Sequence, residues 1–362
     1  MHRQRMERVM GGLAREGLSQ AIICDPLSIY YLTGYLTEPF ERFFALILKE
    51  TDGGVSSTLF ANALFPDPAG AADTVVRLTD TDDVTPLVAR SIDAGAPLGV
   101  DKDLAARWLV PLIDAGAARQ VRLGSFAVDE ARSVKDEAER EAMRVASRLN
   151  DRGMAWLASS LRVGVTEAEV AQGLLGAYRD LGADGFSFDP IVSFGATAAD
   201  PHHEPDGTAL SAGDMVLFDV GCRKDLYCAD MTRTFFTAKP TARQLQVYDT
   251  VRRANEAAEA LVAPGVRFCD IDRRARQIIE EAGFGRFFTH RLGHQIGLSV
   301  HEPGDVSAAH DEPVMPGNVF SIEPGIYLPN EIGVRIEDLV LVTEDGAEIL
   351  NAYTHEPTVL DL

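Results

Sequence analysis

The sequence is poor in features that would cross-link it or place it in a membrane. Its four cysteines, Cys24, Cys222, Cys228 and Cys269, are scattered over 362 residues and form no disulfide framework. We expect free thiols, although Cys222 and Cys228 could face each other across a short hairpin. No run approaches the roughly 18 apolar residues of a membrane span. In residues 1–17, polar side chains interrupt the apolar stretch that a signal peptide needs, so the expectation is a cytoplasmic protein without a membrane partner.

Positive charge is also scarce. The chain has 34 Lys and Arg against 55 Asp and Glu, a formal net charge of −21. Nucleic acid is therefore not an expected partner, because a phosphate-binding surface needs a basic field to displace counterions. No glycine-rich phosphate loop is present. The chain is 46% hydrophobic, which is enough to bury cores, and at this length two domains are the default expectation.

The first third of the sequence predicts a small α/β domain, residues 1–129. Residues 4–16 carry apolar side chains at helical spacing. The apolar runs 21–24 and 43–48 then predict strands.

Residues 130–362 predict a larger α+β domain. A helix is expected from about residue 133 to 161, and another over 270–282. Two further helices should begin at capping boxes, Thr166 with Glu169 and Thr241 with Gln244. The strand-like segments are Ile191–Phe194, Met215–Val220, Asp230–Thr237, Asn318–Tyr327 and Val334–Thr343. Helix pairs separated by such segments indicate an α+β fold rather than a Rossmann sheet.

Four acidic residues lie in or beside these apolar segments, where a buried carboxylate is costly. They are Asp219, Asp230, Glu323 and Glu337. Each alone is compatible with a strand end in solvent. Together with nearby histidines they indicate a divalent-cation site, since carboxylates and imidazole around one point bind such ions. The histidines are His202, His203, His290, His294 and His301.

The segments that carry these residues resemble a known family in order and content. They read PHHEP, DMVLFDVGC, CADMTRTFF, GHQIGLSVHE, SIEPGIY and GVRIEDLVLV. They are similar to those of the metallopeptidases with the pita-bread fold, which include Xaa-Pro dipeptidase (prolidase), aminopeptidase P and methionine aminopeptidase. The segment YYLTGY at 30–35 and the N-terminal domain resemble the prolidase and aminopeptidase P branch.

The resemblance implies a centre with two divalent metal ions. Its ligands would be Asp219, Asp230, His294, Glu323 and Glu337, with Asp230 and Glu337 bridging. Manganese is favoured because hard carboxylates outnumber the imidazole, while Co²⁺, Zn²⁺ and Fe²⁺ also accept such ligands. A metal-bridging hydroxide would attack the peptide carbonyl, and Glu323 would act as the catalytic proton acceptor and donor.

Five more residues take roles from the resemblance. His202 and His301 would be catalytic histidines outside the metal shell that contact the substrate, with His203 as the alternative to His202. Arg335 would support the site or meet a substrate carboxylate. Phe188 and Val300 would line the pocket for the proline ring. Many relatives have glycine after the metal histidine, where this chain has Gln295, which could narrow substrate choice or hydrogen-bond to a loop.

The resulting hypothesis is a dinuclear metallopeptidase that cleaves the Xaa-Pro bond, with prolidase action on dipeptides preferred to aminopeptidase P action on longer peptides. Two competing hypotheses are a non-catalytic peptide-binding module and a metal-free, creatinase-like C–N hydrolase. The complete set of ligand positions counts against both. The resemblance also implies a homodimer.

Overall fold

A computed structural model describes all 362 residues, which divide into two compact units, Met1–Arg132 and Ser133–Leu362. The helix Ser125–Ser133 continues past residue 129, where the sequence predicts the boundary. No helix has both the length and the apolar content needed to cross a bilayer.

The first unit is a mixed six-stranded sheet with helices. Its elements are α1 (Arg3–Arg15), β1 (Gln20–Ile23), α2 (Pro26–Thr33), β2 (Ala45–Thr51), β3 (Gly54–Asn62), β4 (Thr74–Leu78), α3 (Val84–Ala89), β5 (Leu98–Val100), α4 (Ala106–Asp114), β6 (Val121–Leu123) and α5 (Ser125–Ser133). The strand order is β4-β3-β2-β1-β5-β6. As the apolar spacing predicts, α1 buries Met6, Val9 and Leu13.

The second unit contains four long helices, α6 (Glu137–Ser160), α7 (Glu167–Leu181), α8 (Ala242–Glu259) and α9 (Phe268–Glu281). The capping boxes predicted for α7 and α8 are confirmed, since Thr166 and Thr241 each accept a backbone hydrogen bond from the third helical residue.

The strands of the second unit form several small sheets. They are β7 (Gly185–Phe186), β8 (Ile191–Phe194), β9 (Met215–Val220), β10 (Cys222–Lys224), β11 (Tyr227–Cys228), β12 (Met231–Phe236), β13 (Gly293–Gln295), β14 (Glu302–Val306), β15 (Val319–Ile322), β16 (Gly325–Leu328), β17 (Ile332–Arg335), β18 (Asp338–Val342) and β19 (Ala347–Ile349). One sheet has the order β12-β9-β8, a second β14-β13-β15-β18-β19, a third β11-β10-β7, and β16 pairs with β17 alone.

Two segments that the sequence predicts as single strands are each broken in the middle. The segment 318–327 breaks at Glu323 and Pro324, because proline has no N–H to donate to a ladder. The segment 334–343 breaks at Ile336 and Glu337. The two breaks face each other, since β15 and β18 end their pairing at Ile322 and Asp338 and a separate hairpin starts beyond them.

All four cysteines are free, as expected. The two close ones do not face each other as partners. The Cys222 thiol lies 3.3 Å from the carbonyl oxygen of Ala146, and that of Cys228 lies 3.7 Å from the carbonyl oxygen of Leu298.

Candidate metal centre

A pocket of about 480 Å³ lies within the second unit. The ten residues to which the resemblance assigns a role at the site all line it: Phe188, His202, Asp219, Asp230, His294, Val300, His301, Glu323, Arg335 and Glu337. The structure therefore brings to one place side chains that the sequence distributes over 150 residues, from 188 to 337.

Four carboxylates reach the pocket from strand pairs that end or break beside it. Asp219 lies in β9 opposite Thr232 of β12, and Asp230 immediately precedes β12. Glu323 and Glu337 occupy the two facing breaks, one residue beyond the last pair of β15 and β18. A break frees the side chain from the strict alternation of a strand, so both glutamates can turn toward the aspartates.

His294 of β13 is held so that one ring nitrogen faces these carboxylates. Its Nδ1 lies 3.2 Å from the carbonyl oxygen of Gln295, which can only accept, so Nδ1 carries the proton. Burial lowers the pKa of His294 to about 3, and the ring is neutral at physiological pH. Its Nε2 lies 3.7 Å from Asp230 Oδ2 and 3.5 Å from Glu323 Oε1. Such a nitrogen has a lone pair available to a metal.

The carboxylates are crowded and buried. Burial comes first and the neighbouring carboxylates second in raising the pKa values of Asp230 and Glu337 well above the usual range. Burial also raises the pKa of Glu323. The Oδ1 atoms of Asp219 and Asp230 are buried without a hydrogen-bond partner. Divalent cations would satisfy those oxygens and favour the ionised forms, so the residues present fit a metal centre.

We call Asp219, Asp230, His294, Glu323 and Glu337 the ligand cluster. The ligand atoms of Asp230, His294 and Glu337 lie within 4.8 Å of one another, close enough to share an ion. The donor set is four carboxylates and one imidazole, which suits cations of intermediate hardness.

Arg335 is committed to supporting this cluster. Its Nη2 donates to Asp219 Oδ2 at 2.6 Å, its Nε to Thr232 Oγ1 at 3.0 Å, and its Nη1 to Tyr327 Oη at 2.7 Å. The side chain is 3% exposed. Of the two roles that the resemblance leaves open, this geometry supports the structural one, because the guanidinium has few donors left for a substrate.

The histidines outside the cluster occupy different positions. The ring of His301 lies 4.2 Å from that of His294, centroid to centroid. His202 lines the pocket, whereas its neighbour His203 does not. His203 instead bonds through Nε2 to the buried Glu167 Oε2 at 2.6 Å. The two adjacent histidines are thus separated by the fold, one toward the pocket and one toward a structural carboxylate.

Close packing explains which residue types stand on either side of His294. A Cβ on Gly293 would lie 1.8 Å from the carbonyl oxygen of Ser321, so no larger residue fits there. Gln295 is buried but does not line the pocket, and its side chain packs against Gly304, which has a φ of +119°. The Oε1 atom of Gln295 is buried without a hydrogen-bond partner.

Four pocket residues had no predicted role at the site: Ile191, Pro201, His290 and Arg291. His290 bonds through Nε2 to Tyr327 Oη at 2.9 Å, and burial lowers its pKa to about 4. Arg291 pairs with Asp305 and remains about one-third exposed. Arg291 stands three residues before His294 in the sequence, but no local pattern indicated that its side chain lines the pocket.

Comparison with known proteins agrees with this architecture. Residues 141–344 match the model of metallopeptidase family M24, and residues 5–134 match the creatinase/prolidase N-terminal domain. The putative dipeptidase YkvY of Bacillus subtilis is 36% identical over 361 residues, which cover 98% of this chain and 99% of that protein.

Two solved structures are similar over nearly the whole chain. The dipeptidase PepE from Mycobacterium ulcerans has a TM-score of 0.91 and 34% identity, and the alignment covers 99% of this chain and 98% of that one. A prolidase from Thermococcus sibiricus has a TM-score of 0.91 and 30% identity, with 99% and 100% covered.

The expected α+β fold, with a pita-bread domain after a smaller N-terminal α/β domain, is confirmed by these matches. Enzymes of the family depend on two metal ions, which agrees with the donor set of the ligand cluster. The chain belongs to metallopeptidase family M24.

Proposed function

We propose that this metallopeptidase is an Xaa-Pro dipeptidase, a prolidase, which cleaves the bond between an N-terminal residue and proline. The observation that carries the proposal is the combination in one pocket of the ligand cluster, two further histidines, the apolar side chains Phe188 and Val300, and an arginine, Arg291. A short peptide with an apolar ring and a free carboxylate has complementary chemistry.

The ligand cluster would hold two divalent ions, with Asp230 and Glu337 shared between them. Bound ions would lower the pKa of a water molecule and polarise the scissile carbonyl. Manganese is our choice, because four hard carboxylates and one imidazole form the donor set. Measuring which metal copurifies with the protein, by elemental analysis, tests that choice.

Proton transfer and stabilisation of the developing negative charge would depend on Glu323, His202 and His301. Glu323 would accept the proton of the attacking water and transfer it to the proline nitrogen, since its Oε1 is held in place by the hydroxyl of Ser321 at 3.1 Å. His202 and His301 would donate hydrogen bonds to the substrate and to the oxygen on which negative charge develops.

The proline side of the substrate would contact Phe188 and Val300, together with Ile191. The free carboxylate would meet Arg291, since Arg335 is occupied by Asp219, Thr232 and Tyr327. A charged hydrogen bond of this kind contributes about 1.5–3 kcal/mol.

The alternative is an Xaa-Pro aminopeptidase that accepts longer peptides. We would compare kcat/KM for Ala-Pro, Ala-Pro-amide and Ala-Pro-Ala in the wild type and in Arg291→Gln. The proposal expects Ala-Pro to be preferred and this preference to fall by roughly 10- to 100-fold in the variant. Arg286→Gln changes an arginine outside this pocket and serves as the control. Equal or faster turnover of Ala-Pro-Ala by the wild type would support the aminopeptidase instead.

Removing the metal with a chelator distinguishes the proposed metallopeptidase from a metal-free, creatinase-like hydrolase. Activity on Ala-Pro should disappear with the metal and return with added Mn²⁺.

We further propose, from the family resemblance and the net charge of −21, a cytoplasmic homodimer without nucleic-acid or membrane partners. Its mass in solution can be measured by light scattering.

A further inference from the structure

Residues 350–360, which we call the 350–360 segment, lie beyond the 141–344 match to the family model and contain no regular helix or strand. They nevertheless lie along β12, the strand that begins immediately after the proposed ligand Asp230. In its own sheet, β12 pairs on one side only, with β9.

The segment and β12 run in the same direction and are bonded at intervals. Asn351 contacts the carbonyl of Asp230 near the start of the strand. At the other end, the N–H of Phe236 donates to the carbonyl of Thr358, and the N–H of Leu360 donates to the carbonyl of Phe236. The segment therefore covers β12 at Phe236, whereas the carbonyl of Thr232 in the same strand accepts from the N–H of Glu337.

Asn351 links the backbones that carry two proposed bridging ligands. Its Nδ2 donates to the carbonyl of Asp230 at 3.1 Å, and its Oδ1 accepts from the N–H of Leu339 at 2.7 Å. Leu339 is two residues after Glu337. Asn351 is 6% exposed, so water has little access to replace either bond.

Arg233 adds a second link between the segment and Glu337. Its guanidinium donates to the carbonyl of Tyr353 at 2.7 Å and to that of Thr354 at 3.1 Å. The same group also donates to the carbonyl of Glu337 and to the carboxylate of Asp338, at 2.6 and 2.7 Å. Arg233 is 1% exposed.

We propose that the 350–360 segment braces the metal centre, with Asn351 as the positioning residue that sets the separation of Asp230 and Glu337. Residues behind metal ligands fix ligand orientation, and their removal typically weakens metal binding 10- to 100-fold. The inference rests on the ligand roles proposed above and is independent of the Xaa-Pro specificity.

The test is metal binding, measured without any substrate. Metal-free full-length wild type, Asn351→Ala and Asn351→Asp are titrated with Mn²⁺ by calorimetry, and the Co²⁺-loaded forms are compared by visible absorption. Asn351→Asp keeps the acceptor for Leu339 but loses the donor to Asp230. Asn351→Asp alone provides the test if the alanine variant does not fold. Leu360→Ala, which trims a side chain of the same segment and leaves the Asn351 bonds, is the matched control for lost stability.

We expect both Asn351 variants to bind Mn²⁺ roughly 10- to 100-fold more weakly and to show an altered Co²⁺ spectrum, with Leu360→Ala close to wild type. Unchanged affinity and spectrum in the Asn351 variants would overturn the inference. So would an equal loss in Leu360→Ala, because the effect would then follow stability. A wild type that binds two Mn²⁺ but hydrolyses no Xaa-Pro peptide would contradict the proposed function and leave this inference standing.

Discussion

Two buried clusters of acidic residues lie side by side in the second unit and differ in how their charge is balanced. One is the ligand cluster. The other, which we call the Arg233 cluster, consists of Arg233, Glu259, Asp338 and His355. Glu337 and Asp338 are neighbours in the sequence, yet the first belongs to one cluster and the second to the other. The break at Ile336 and Glu337 lets Glu337 turn toward the pocket, while Asp338, the first residue of β18, bonds to Arg233.

The Arg233 cluster contains its own counter-charge. The Asp338 carboxylate accepts from Arg233 Nη2 at 2.7 Å and bonds to His355 Nε2 at 2.6 Å. Burial, followed by the neighbouring Asp338, raises the pKa of Glu259 to about 9, and this carboxyl is therefore neutral at pH 7. One anion and one guanidinium remain, and they cancel.

The ligand cluster lacks that balance. Four carboxylates line an open pocket with two arginines, of which Arg335 bonds to Asp219 and Arg291 pairs with Asp305. An unpaired buried oxygen does not by itself distinguish the two clusters, since Glu259 Oε1 has no partner either. The surplus of carboxyl groups over guanidinium groups beside an open pocket does, because all four can ionise only when a cation is supplied from outside.

The largest expected contrast is in turnover. Glu323→Gln should lower kcat on Ala-Pro by about 10²- to 10⁴-fold, because it removes the proton acceptor. Glu259→Gln replaces a carboxyl that is already neutral and should leave kcat within about a factor of three. Steady-state kinetics with saturating Mn²⁺ compares them. Similar losses in both variants would mean that the clusters are not functionally distinct.

The second contrast is in stability of the metal-free protein. Asp338→Asn leaves Arg233 buried without an anion and should lower the free energy of unfolding by about 3–5 kcal/mol. Asp230→Asn relieves repulsion among the carboxylates and should leave that free energy unchanged or higher. Urea unfolding in the presence of chelator measures both. A large loss in Asp230→Asn would show that the ligand cluster is balanced without metal.

Metal should stabilise the protein through the ligand cluster alone. Mn²⁺ at about 100 times its Kd should raise the free energy of unfolding by about 2.7 kcal/mol for each ion bound. Glu259→Gln should keep this gain, and Asp230→Asn should lose most of it. Denaturation with and without Mn²⁺ gives the values, and a full gain in Asp230→Asn would argue against that residue as a ligand.

The last contrast is a pH dependence from the Arg233 cluster. Between the unfolded carboxyl pKa of about 4.3 and the folded value of about 9, the folded state binds a proton on Glu259 that the unfolded state does not. This stabilising contribution is complete below the lower value and declines as pH rises, by at most about 1.4 kcal/mol per pH unit. Asp338 and Arg233 face Glu259, and His355 lies beside it.

Glu259→Gln should remove that slope. Unfolding curves of the metal-free wild type and variant between about pH 5 and pH 8 isolate the difference, because the other titrating groups are common to both proteins. Parallel curves would show that Glu259 is ionised in the folded state.

The sequence predicted much of the fold and ten of the fourteen pocket residues, but not the geometry around them. Glu323 and Glu337 stand in apolar runs that predict unbroken strands, and the structure breaks both. Pro324 was a local signal for the first break. The second has no comparable signal, because it depends on the strand pairing that ends at Ile322 and Asp338.

The role of neighbours was likewise decided by the fold. The family resemblance favoured His202 over His203 and named Glu337 rather than Asp338 as a ligand, but residue type alone does not separate such neighbours. Packing distinguishes them, since Glu167 binds His203, Arg233 binds Asp338, and the other member of each pair is left facing the pocket.

By itself, the sequence determined the first helix, the four long helices of the second unit, the strands around the acidic residues, the excess of acidic residues and the motifs that identify a metallopeptidase of family M24. These follow from local periodicity, caps and short motifs. Only the tertiary structure decided which acids meet an arginine and which face an open pocket, and it alone placed Arg291 beside the cluster and Asn351 behind it. Charge balance in a buried site depends on distances between residues far apart in the chain, and no local pattern records those distances.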